Sequence, residues 1–280
     1  MPFLRRLAGL FVIAAFLAAC TTQTVMQSAA PPFAADKYAA IVVDAHTGKV
    51  LYERASSEPR YPASLTKMMT LYMLFEAIDA GRVSLDETIP VSAFAAARPP
   101  SKLGFKRGGG IDTRSAILAL AVRSANDVAV AVAERLSGSE ETFARAMTAK
   151  ARQLGMSGTV FRNASGLPDD AQRTTARDMA VLSVALRSRF PHHYHYFSNR
   201  EFSYNGKVIR GHNRLLGRVP GVDGLKTGYI RASGFNLATS MGRGGRRIVA
   251  VVMGGESAAL RDEHMETLLN TYLPRASSRY

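Results

Sequence analysis

The chain has 280 residues, of which 47% are hydrophobic, and it carries a formal net charge of +14. This length and composition suit one large globular domain or two small ones, and they exclude a disordered, collagen-like or coiled-coil protein. The charge favours anionic partners such as lipid headgroups, acidic wall polymers or nucleic acid. The basic residues are scattered and no nucleic-acid-binding motif is present, so we expect no nucleic-acid partner. We interpret the charge as a solvated basic surface, with wall binding as the alternative.

The first twenty residues have the pattern of an export signal. Two arginines at positions 5–6 precede the uncharged apolar run 7–19, which is too short to span a bilayer comfortably and has the length of a signal-peptide h-region. The run leads into "LAAC", which resembles the lipobox of bacterial lipoproteins, whose cysteine is acylated after cleavage. We therefore predict a signal peptide at residues 1–20 and lipidation at Cys20. The alternative is ordinary signal cleavage further along the chain.

The rest of the chain divides into a tether, a domain and a short tail. Residues 21–37 are polar, Ala- and Pro-rich and aperiodic, which predicts a flexible tether with a reach on the order of 20 Å. The folded domain is predicted at residues 38–274, followed by a tail at 275–280. Because Cys20 is the single cysteine of the chain, no internal disulfide is expected.

Strand patterns occur at both ends of this domain and helical patterns lie between them. A hairpin is predicted at 38–54, with its turn at Thr47-Gly48. The predicted helices of the middle region are 64–80, 113–122, 127–138, 140–155 and 175–188. A second hairpin, turned by Asn205-Gly206, is followed by three strands and a closing helix. The three strands are predicted at 222–229, 233–241 and 246–255, and the closing helix at 258–272. "GRGG" at 242–245 is predicted to form the turn between the last two strands.

This order predicts the fold class. Strands at the two ends of a domain that enclose helices indicate one antiparallel sheet in which the N- and C-terminal strands meet. We therefore predict a single α+β domain whose sheet carries a helical insertion.

A hydroxyl and an amine share one face at the start of the first predicted helix. Ser64 and Lys67 are three residues apart, so their side chains are neighbours and within reach of a hydrogen bond. A neutral lysine can activate a serine nucleophile, and burial or a second cation keeps a lysine neutral. Taken alone the S-x-x-K pattern is weak, because an ordinary helix start, with Ser near the cap and Lys turned outward, explains it better.

Two further patterns make the catalytic interpretation stronger. "SAN" at 124–126 falls in the break between two predicted helices, and "KTG" at 226–228 falls on a late strand. The order S-x-x-K, S-x-N, K-T-G is shared by penicillin-binding proteins and class A β-lactamases. "SYN" at 203–205 also matches the middle motif, but turn chemistry explains Asn205 better.

With these motifs the chain resembles the low-molecular-mass penicillin-binding proteins that act as D-alanyl-D-alanine carboxypeptidases. The likeness spans roughly residues 38–273 and includes "YPASLTKMMT", "VRSANDVAVAVAE", "FRNASGLPD", "TTARDMA" and "GVDGLKTGY" in the family's order. It implies a β-lactamase/transpeptidase-like fold and peptidoglycan stem peptides ending in D-Ala-D-Ala as substrate. It further implies β-lactams as covalent inhibitors.

The resemblance also implies roles for the residues of the first two motifs. Ser64 would attack the carbonyl between two D-alanines and form an acyl-enzyme. Lys67 would act as its base and as the base for the later attack of water. Ser124 would relay a proton to the leaving amine, and Asn126 would hold Lys67 and the substrate amide.

The third motif is implied to bind substrate. Lys226 and Thr227 would hold the terminal carboxylate, and Gly228 would leave room for a substrate that adds to the strand. The backbone N–H groups of Ser64 and Tyr229 would form the oxyanion hole. Apart from the resemblance, the residue types show that Lys226 is a second cation, whose charge would help to keep Lys67 neutral.

The chain departs from the family pattern at several points. Ala125 stands where the usual motif has Asp, and Tyr229 follows K-T-G where many members have His, which implies altered side-chain specificity. Many members also carry a C-terminal β-rich domain and an amphipathic anchor. Few residues follow the predicted domain, and we expect an acylated Cys20 to anchor the protein at the periplasmic face of a bacterial membrane.

No metal or cofactor is expected. The segment "HHYHYF" at 192–197 does not have the spacing of a catalytic zinc site, and aromatic packing in a loop explains it better. The glycines at 108–110 are interpreted as a turn before a helix, since no G-K-[ST] follows them.

Three alternative functions stay open at this point. A D,D-endopeptidase would use the same residues on peptide cross-links. A β-lactamase is disfavoured because no counterpart of the deacylating glutamate of class A enzymes is found. The third alternative is a non-catalytic, wall-binding lipoprotein that keeps the fold.

Overall fold

A computed structural model of the protein describes residues 36–106 and 108–279. The predicted signal peptide, Cys20 and nearly all of the tether lie outside these residues. Within the described part of the chain, no helix is long and apolar enough to cross a membrane.

A five-stranded antiparallel sheet forms the centre of the domain. Its strands are β1 (Ala39–Asp44), β2 (Val50–Arg54), β7 (Val222–Ile230), β8 (Gly234–Arg243) and β9 (Arg246–Gly255). The order across the sheet is β2-β1-β9-β8-β7, so β1 pairs directly with β9. The two ends of the domain therefore meet in one sheet as predicted, and β7, which carries the K-T-G motif, is an edge strand.

Helices and two small sheets make up the insertion between β2 and β7. Its helices are α1 (Lys67–Asp79), α2 (Ala93–Ala96), α3 (Thr113–Leu118), α4 (Asn126–Ser137), α5 (Glu140–Gln153) and α6 (Ala176–Arg189). Its strands are β3 (Thr88–Pro90) paired with β4 (Gly110–Asp112), and β5 (Glu201–Tyr204) paired with β6 (Lys207–Arg210). The closing helix, α7 (Ala258–Tyr272), follows β9 with the predicted bounds.

Both faces of the sheet are covered at its centre, which explains why β1 and most of β9 are apolar. Successive side chains of a strand point to opposite faces. Ile41 and Val251 belong to the core beneath the helical insertion, whereas Val42 and Ala250 belong to the core beneath α7. The sheet is thus a central layer whose edge strand β7 lies next to the start of α1.

Side-chain caps fix several helix starts where the sequence predicts them. Asp112 accepts a hydrogen bond from Ser115 N at 2.8 Å and caps α3. Ser139 and Thr175 cap α5 and α6, and Ser257 caps α7 in the same way. These residues satisfy N–H groups that the first helical turn leaves unpaired.

The first and second predicted helices differ from the structure at the ends that carry the motifs. Ser64 lies in a 3-10 turn, Ala63–Thr66, and the α-helix begins only at Lys67. The second helix changes after α3 into a π-helical turn, Ala119–Arg123, which ends at Ser124 in the left-handed conformation with φ 62°. Such departures from regular helix are common at functional sites and re-aim the side chains there.

Two predicted glycine turns also need correction. The last hairpin turn consists of Gly244 and Gly245 alone, with φ of 57° and 71°, while Gly242 already belongs to β8. A two-residue turn with positive φ at both positions matches the twist of the paired strands and needs glycine. Gly110, predicted to lie in a turn, is the first residue of β4.

The histidine-rich segment packs against aromatic side chains. His193 Nε2 lies 2.8 Å from Asp79 Oδ1, and its ring stacks on Phe75 with 4.8 Å between the centroids. Among the residues that the structure describes, no group of three or more His, Cys, Asp or Glu side chains is arranged to hold a metal.

Residues of the predicted C-terminal tail contact the sheet. Ser277 N donates to Asp44 Oδ2 at 2.7 Å, and Arg279 N donates to the carbonyl of Gly245 at 3.0 Å. These contacts hold residues 277–279 beside the end of β1 and the last hairpin.

Candidate active site

The backbone around Ser64 is enclosed by two glycines from distant segments. A Cβ at Gly228 would stand 3.0 Å from Ser64 N, and a Cβ at Gly166 would overlap with the carbonyl of Ala63. Ala63 itself has a positive φ of 48°, a conformation that costs a residue with a side chain on the order of 1–3 kcal/mol. The surroundings therefore hold Ser64 in an otherwise unfavourable turn. Gly228 is needed for this close approach, a reason that the sequence does not reveal.

Asn236 connects this turn to the sheet. Its Nδ2 donates to the carbonyl of Tyr61 at 3.0 Å and of Pro62 at 3.3 Å, and its Oδ1 accepts from Gly254 N at 3.1 Å. The side chain is fully buried. Asn236 therefore ties the segment that leads into Ser64 to strands β8 and β9.

Lys67 reaches three oxygen atoms. Its Nζ lies 3.2 Å from Ser64 Oγ, 2.7 Å from Asn126 Oδ1 and 2.6 Å from the carbonyl of Ser165. The amide and carbonyl oxygens only accept hydrogen bonds, whereas the serine hydroxyl can also donate one. A neutral amine can thus donate to Asn126 and Ser165 and direct its lone pair at the Ser64 proton.

The environment of Lys67 favours this neutral form. Its side chain has no exposed surface. Burial is the largest cause that holds the pKa of Lys67 well below its ordinary value, and the positive charge of Lys226 lowers it further. Asp127 and Glu140 act in the opposite direction. The expectation that Lys226 helps to keep Lys67 neutral agrees with this balance.

The middle motif supplies one residue bound to Lys67 and one that faces the cleft. Asn126, besides its contact with Lys67, donates from Nδ2 to the carbonyl of Pro99 at 2.9 Å. Ser124 is 5% exposed and lines the cleft, and its Oγ has no hydrogen-bond partner within residues 36–106 and 108–279. A buried hydroxyl without a partner is costly, so a bound group that pairs with Ser124 would remove that cost.

The carbonyl of Ser165 is a part of the site that sequence reasoning missed. Asn163 Oδ1 accepts from Gly166 N at 2.7 Å and shapes the turn, while Thr70 Oγ1 donates to the carbonyl of Ala164 at 2.7 Å. The turn lies within "FRNASGLPD", a segment that gave the family resemblance without a role. A backbone acceptor leaves no side-chain signature, so only the turn-forming Asn163 and Gly166 were available as a signal.

The third motif has a different arrangement from the expected one. Thr227 lines the cleft, but Lys226 is 1% exposed, lies behind the cleft wall, and donates from Nζ to the carbonyl of Thr227 at 3.0 Å. Burial, and to a lesser extent the charge of Arg261, lowers the pKa of Lys226 to about 7. Below about pH 7, where its amine is protonated, Lys226 acts on the cleft through its charge and not by direct contact.

The cleft has a basic end and an apolar end. Its volume is about 450 Å³, and its lining includes Ser64, Ser124 and Asn126 in the middle. Arg261, which belongs to none of the three motifs, also lines the cleft, and its charge acts on the amine of Lys226, the residue before Thr227. Its guanidinium is buried and bound to Asp262 Oδ1 at 2.6 Å and to the carbonyl of Asn236 at 3.1 Å. A carboxylate fits this basic end.

Tyr229 marks the apolar end. Its ring is 53% exposed and packs on Phe235 with 4.3 Å between the centroids, and both line the cleft together with Leu167 and Ile230. Phe235 was not predicted as a site residue, although it lies opposite Tyr229 in the β7–β8 ladder. This end therefore offers an aromatic surface.

The seven predicted residues of the three motifs, together with Tyr229, thus come together around one cleft. Ser64, Lys67 and Asn126 are linked by direct hydrogen bonds. Ser124, Thr227, Gly228 and Tyr229 line the same cleft as Ser64, and Lys226 lies behind it. A serine hydroxyl, a buried amine and an anion-binding end are the components of acyl transfer through a covalent intermediate.

Comparison with known proteins agrees with this arrangement. A profile of the D-alanyl-D-alanine carboxypeptidase family, peptidase S11, matches residues 24–257. The chain belongs to this family. The carboxypeptidase DacF of Bacillus subtilis is 34% identical over 236 residues, which cover 82% of this chain and 60% of that relative. The chain thus spans less than two thirds of the length of this relative.

Solved structures of the family share the fold. The carboxypeptidase DacD of Francisella tularensis superposes with a TM-score of 0.82 at 30% identity, covering 84% of this chain and 70% of that one. Penicillin-binding protein D2 of Listeria monocytogenes, in its ampicillin-bound form, gives 0.73 at 32% identity and covers 83% and 95%. The predicted α+β, transpeptidase-like fold class is confirmed.

Proposed function

We propose that the protein is a serine-type D-alanyl-D-alanine carboxypeptidase that trims peptidoglycan stem peptides and is acylated by penicillin at Ser64. The observation that carries this proposal is the contact of 3.2 Å between Ser64 Oγ and the fully buried Nζ of Lys67. Membership of the carboxypeptidase family supports D-Ala-D-Ala as the substrate.

The distribution of charge along the cleft sets the orientation of the bound substrate. The terminal carboxylate of D-alanine binds at the basic end, beside Thr227 and Arg261, with the charge of Lys226 behind them. The acyl part of the peptide extends toward Tyr229 and adds to the free edge of β7. The scissile carbonyl then lies next to Ser64, between these two ends.

Acylation begins with a proton transfer from Ser64 to neutral Lys67. As Oγ gives up its proton, it attacks the carbonyl carbon between the two D-alanines, and the carbonyl oxygen becomes negative. The backbone N–H groups of Ser64 and Tyr229 stabilise that oxygen. Asn126 and the Ser165 carbonyl keep the lysine lone pair aimed at the hydroxyl, since each takes one of the two amine protons.

Collapse of this intermediate breaks the carbon–nitrogen bond. Ser124 hands the proton held by Lys67 to the leaving amine, and D-alanine departs with its carboxylate. Water then attacks the ester on Ser64, and Lys67 takes the proton of that water and returns it to Oγ. The products are free D-alanine and a peptide one residue shorter.

We also propose that the enzyme acts outside the cytoplasm, with residues 1–20 as a signal peptide and 38–274 as the catalytic domain. Acylated Cys20 would hold the domain at the periplasmic face of a membrane through the tether 21–37. The apolar run and "LAAC" support this arrangement. Incorporation of labelled palmitate into the full chain, absent from Cys20→Ser, is the expected result. Equal labelling of both chains, or none of either, contradicts lipidation at Cys20.

Intact-mass measurement with penicillin tests the proposed activity. We expect a stable covalent adduct on the wild-type protein and none on Ser64→Ala, together with release of D-alanine from a stem pentapeptide. Rapid turnover of penicillin without an adduct would indicate a β-lactamase instead. That outcome is not expected, because the described residues that line the cleft include no counterpart of the glutamate with which class A β-lactamases deacylate. Absence of any reaction would indicate a wall-binding protein.

A further inference from the structure

Arg214 brings an uncompensated positive charge to the cleft. Its side chain is exposed and lines the cleft, and within the described part of the chain it makes no ion pair or hydrogen bond to an acceptor. Arg218, one turn further along the same loop, is also exposed but pairs with Glu266 at 2.9 Å. The two arginines thus differ in whether a protein carboxylate neutralises them.

The backbone of Arg214 is held on both sides. Gly211 N donates to the carbonyl of Arg200 at 2.7 Å, and Leu215 N donates to Asn213 Oδ1 at 3.1 Å. Leu215 is fully buried in the core beneath α7. A ligand that binds Arg214 therefore has to order a side chain and not a loop, which lowers the entropic cost of binding.

Arg214 lies at the basic end of the cleft. The preceding residues Gly211 and His212 line the main cleft and also share a small adjoining cavity with Thr227. Thr227 is the residue at which the proposed terminal carboxylate binds. This places Arg214 on the side of the leaving group.

The charge of Arg214 acts on the carboxylate-binding group itself. Burial lowers the pKa of Arg261, Asp262 raises it, and Arg214 adds a smaller lowering. Two guanidiniums are thus close enough to repel one another, and only Arg261 has an acidic partner among the described residues. One terminal carboxylate needs one guanidinium. Arg214 is therefore not required to bind a substrate whose leaving group is D-alanine.

We infer that Arg214 forms a second anion subsite, which selects substrates whose leaving residue carries a carboxylate in addition to its terminal one. This inference rests on the proposed function, and it extends the substrate class. A peptide cross-link has this chemistry, because its leaving amine belongs to a second stem peptide with several carboxylates. The subsite thus favours D,D-endopeptidase cleavage beside D-alanine release.

Three synthetic peptides that differ only in the leaving residue test the subsite. Each ends in D-Ala followed by D-Ala, D-Gln or D-Glu, and D-Gln and D-Glu are similar in size and differ in charge. We expect wild-type kcat/KM to be about two- to fivefold higher for D-Glu than for D-Gln, the range for an exposed guanidinium–carboxylate pair. Arg214→Gln should reduce this ratio to about one, Arg214→Lys should keep part of it, and the control Arg218→Gln should keep all of it.

Two further measurements sharpen the result. The preference for D-Glu should fall as salt is raised, because an exposed charge pair is screened. With purified muropeptides, the ratio of cross-link cleavage to D-alanine release should fall in Arg214→Gln and not in Arg218→Gln.

The outcomes separate the subsite from the proposed function. A wild-type ratio near one, or a ratio that survives in Arg214→Gln, overturns the subsite while D-alanine release still supports the carboxypeptidase. An equal loss for all three peptides in Arg214→Gln also overturns it, since Arg214 would then bind the terminal carboxylate. Failure of the wild type to release D-alanine overturns the proposed function and the subsite together.

Discussion

Replacing Lys226 by Met should stabilise the fold at acidic pH, and the gain should shrink as the pH rises. Lys226 is 1% exposed, and burial lowers its pKa from 10.5 to about 7. Below pH 7 the lysine is protonated in both the folded and the unfolded chain, so the folded state carries the whole cost of burying the charge. Methionine has a similar length and no charge.

The size of the effect follows from linkage. Each pH unit between the two pKa values corresponds to 1.36 kcal/mol, so the cost of Lys226 at pH 6 is about 5 kcal/mol. Between pH 7 and 10.5 the unfolded chain binds the proton and the folded chain does not, so wild-type stability rises with pH. At pH 9 about 2 kcal/mol of the cost remains. The hydrogen bond from Lys226 to the Thr227 carbonyl, worth about 1 kcal/mol, is lost in the variant at both pH values and cancels from the comparison.

Urea unfolding of wild type and Lys226→Met at pH 6 and pH 9 measures this directly. The free energy of unfolding should favour the variant at pH 6, and its advantage should be smaller by about 3 kcal/mol at pH 9. Lys207→Met, a change at an exposed lysine in β6, controls for general effects of removing a charge. A difference between wild type and Lys226→Met that stays constant from pH 6 to pH 9 would refute a depressed pKa at Lys226.

Three further predictions concern the surroundings of the nucleophile, two from new variants and one from Lys226→Met. Gly228→Ala would bring a Cβ to 3.0 Å from Ser64 N. The rate of penicillin acylation, measured by intact mass, should therefore fall on the order of 100-fold. An unchanged rate would contradict the close approach of these two residues. Asn236→Ala removes the hydrogen bonds to the carbonyls of Tyr61 and Pro62. The free energy of unfolding, measured by urea denaturation, should fall by about 2–3 kcal/mol. A loss under about 0.5 kcal/mol would contradict the role of Asn236 in holding this segment. In Lys226→Met the repulsion on Lys67 is absent, so the acid limb of the acylation rate should move to higher pH, and an unmoved limb would show that the two amines are not coupled.

Periodicity and turn chemistry predicted most of the large elements. The three late strands and α7 were predicted within a few residues, the strands because apolar and β-branched runs between glycine turns mark them. The strands β3 and β4 were missed because three residues each are too short to show a period, and Pro90 and Gly110 disfavour strand. The 3-10 turn at Ser64 was missed because it depends on contacts with Gly166 and Gly228, which are distant in sequence.

Site residues that belong to sequence motifs could be predicted, whereas site residues that are brought in only by tertiary contacts could not. The spacing of Ser64 and Lys67 predicts their contact, whereas the meeting of 124–126 with 226–228 came from the family resemblance. Arg261 looks like any helical arginine until the fold buries it beside Thr227. Asn236 left a usable signal, because asparagine is depleted in strand interiors and its presence there indicates a specific hydrogen bond.

Catalysis by this site depends on Lys67 being an uncharged amine that can accept the Ser64 proton. NMR of the protein with ¹⁵N- and ¹³C-labelled lysine measures this most directly, since the Lys67 resonance is the one that disappears in Lys67→Met. We expect it to titrate well below 10.5, with a midpoint that coincides with the acid limb of penicillin acylation. A Lys67 side chain that stays protonated through pH 9, while acylation at Ser64 proceeds at full rate at pH 7, would contradict the account.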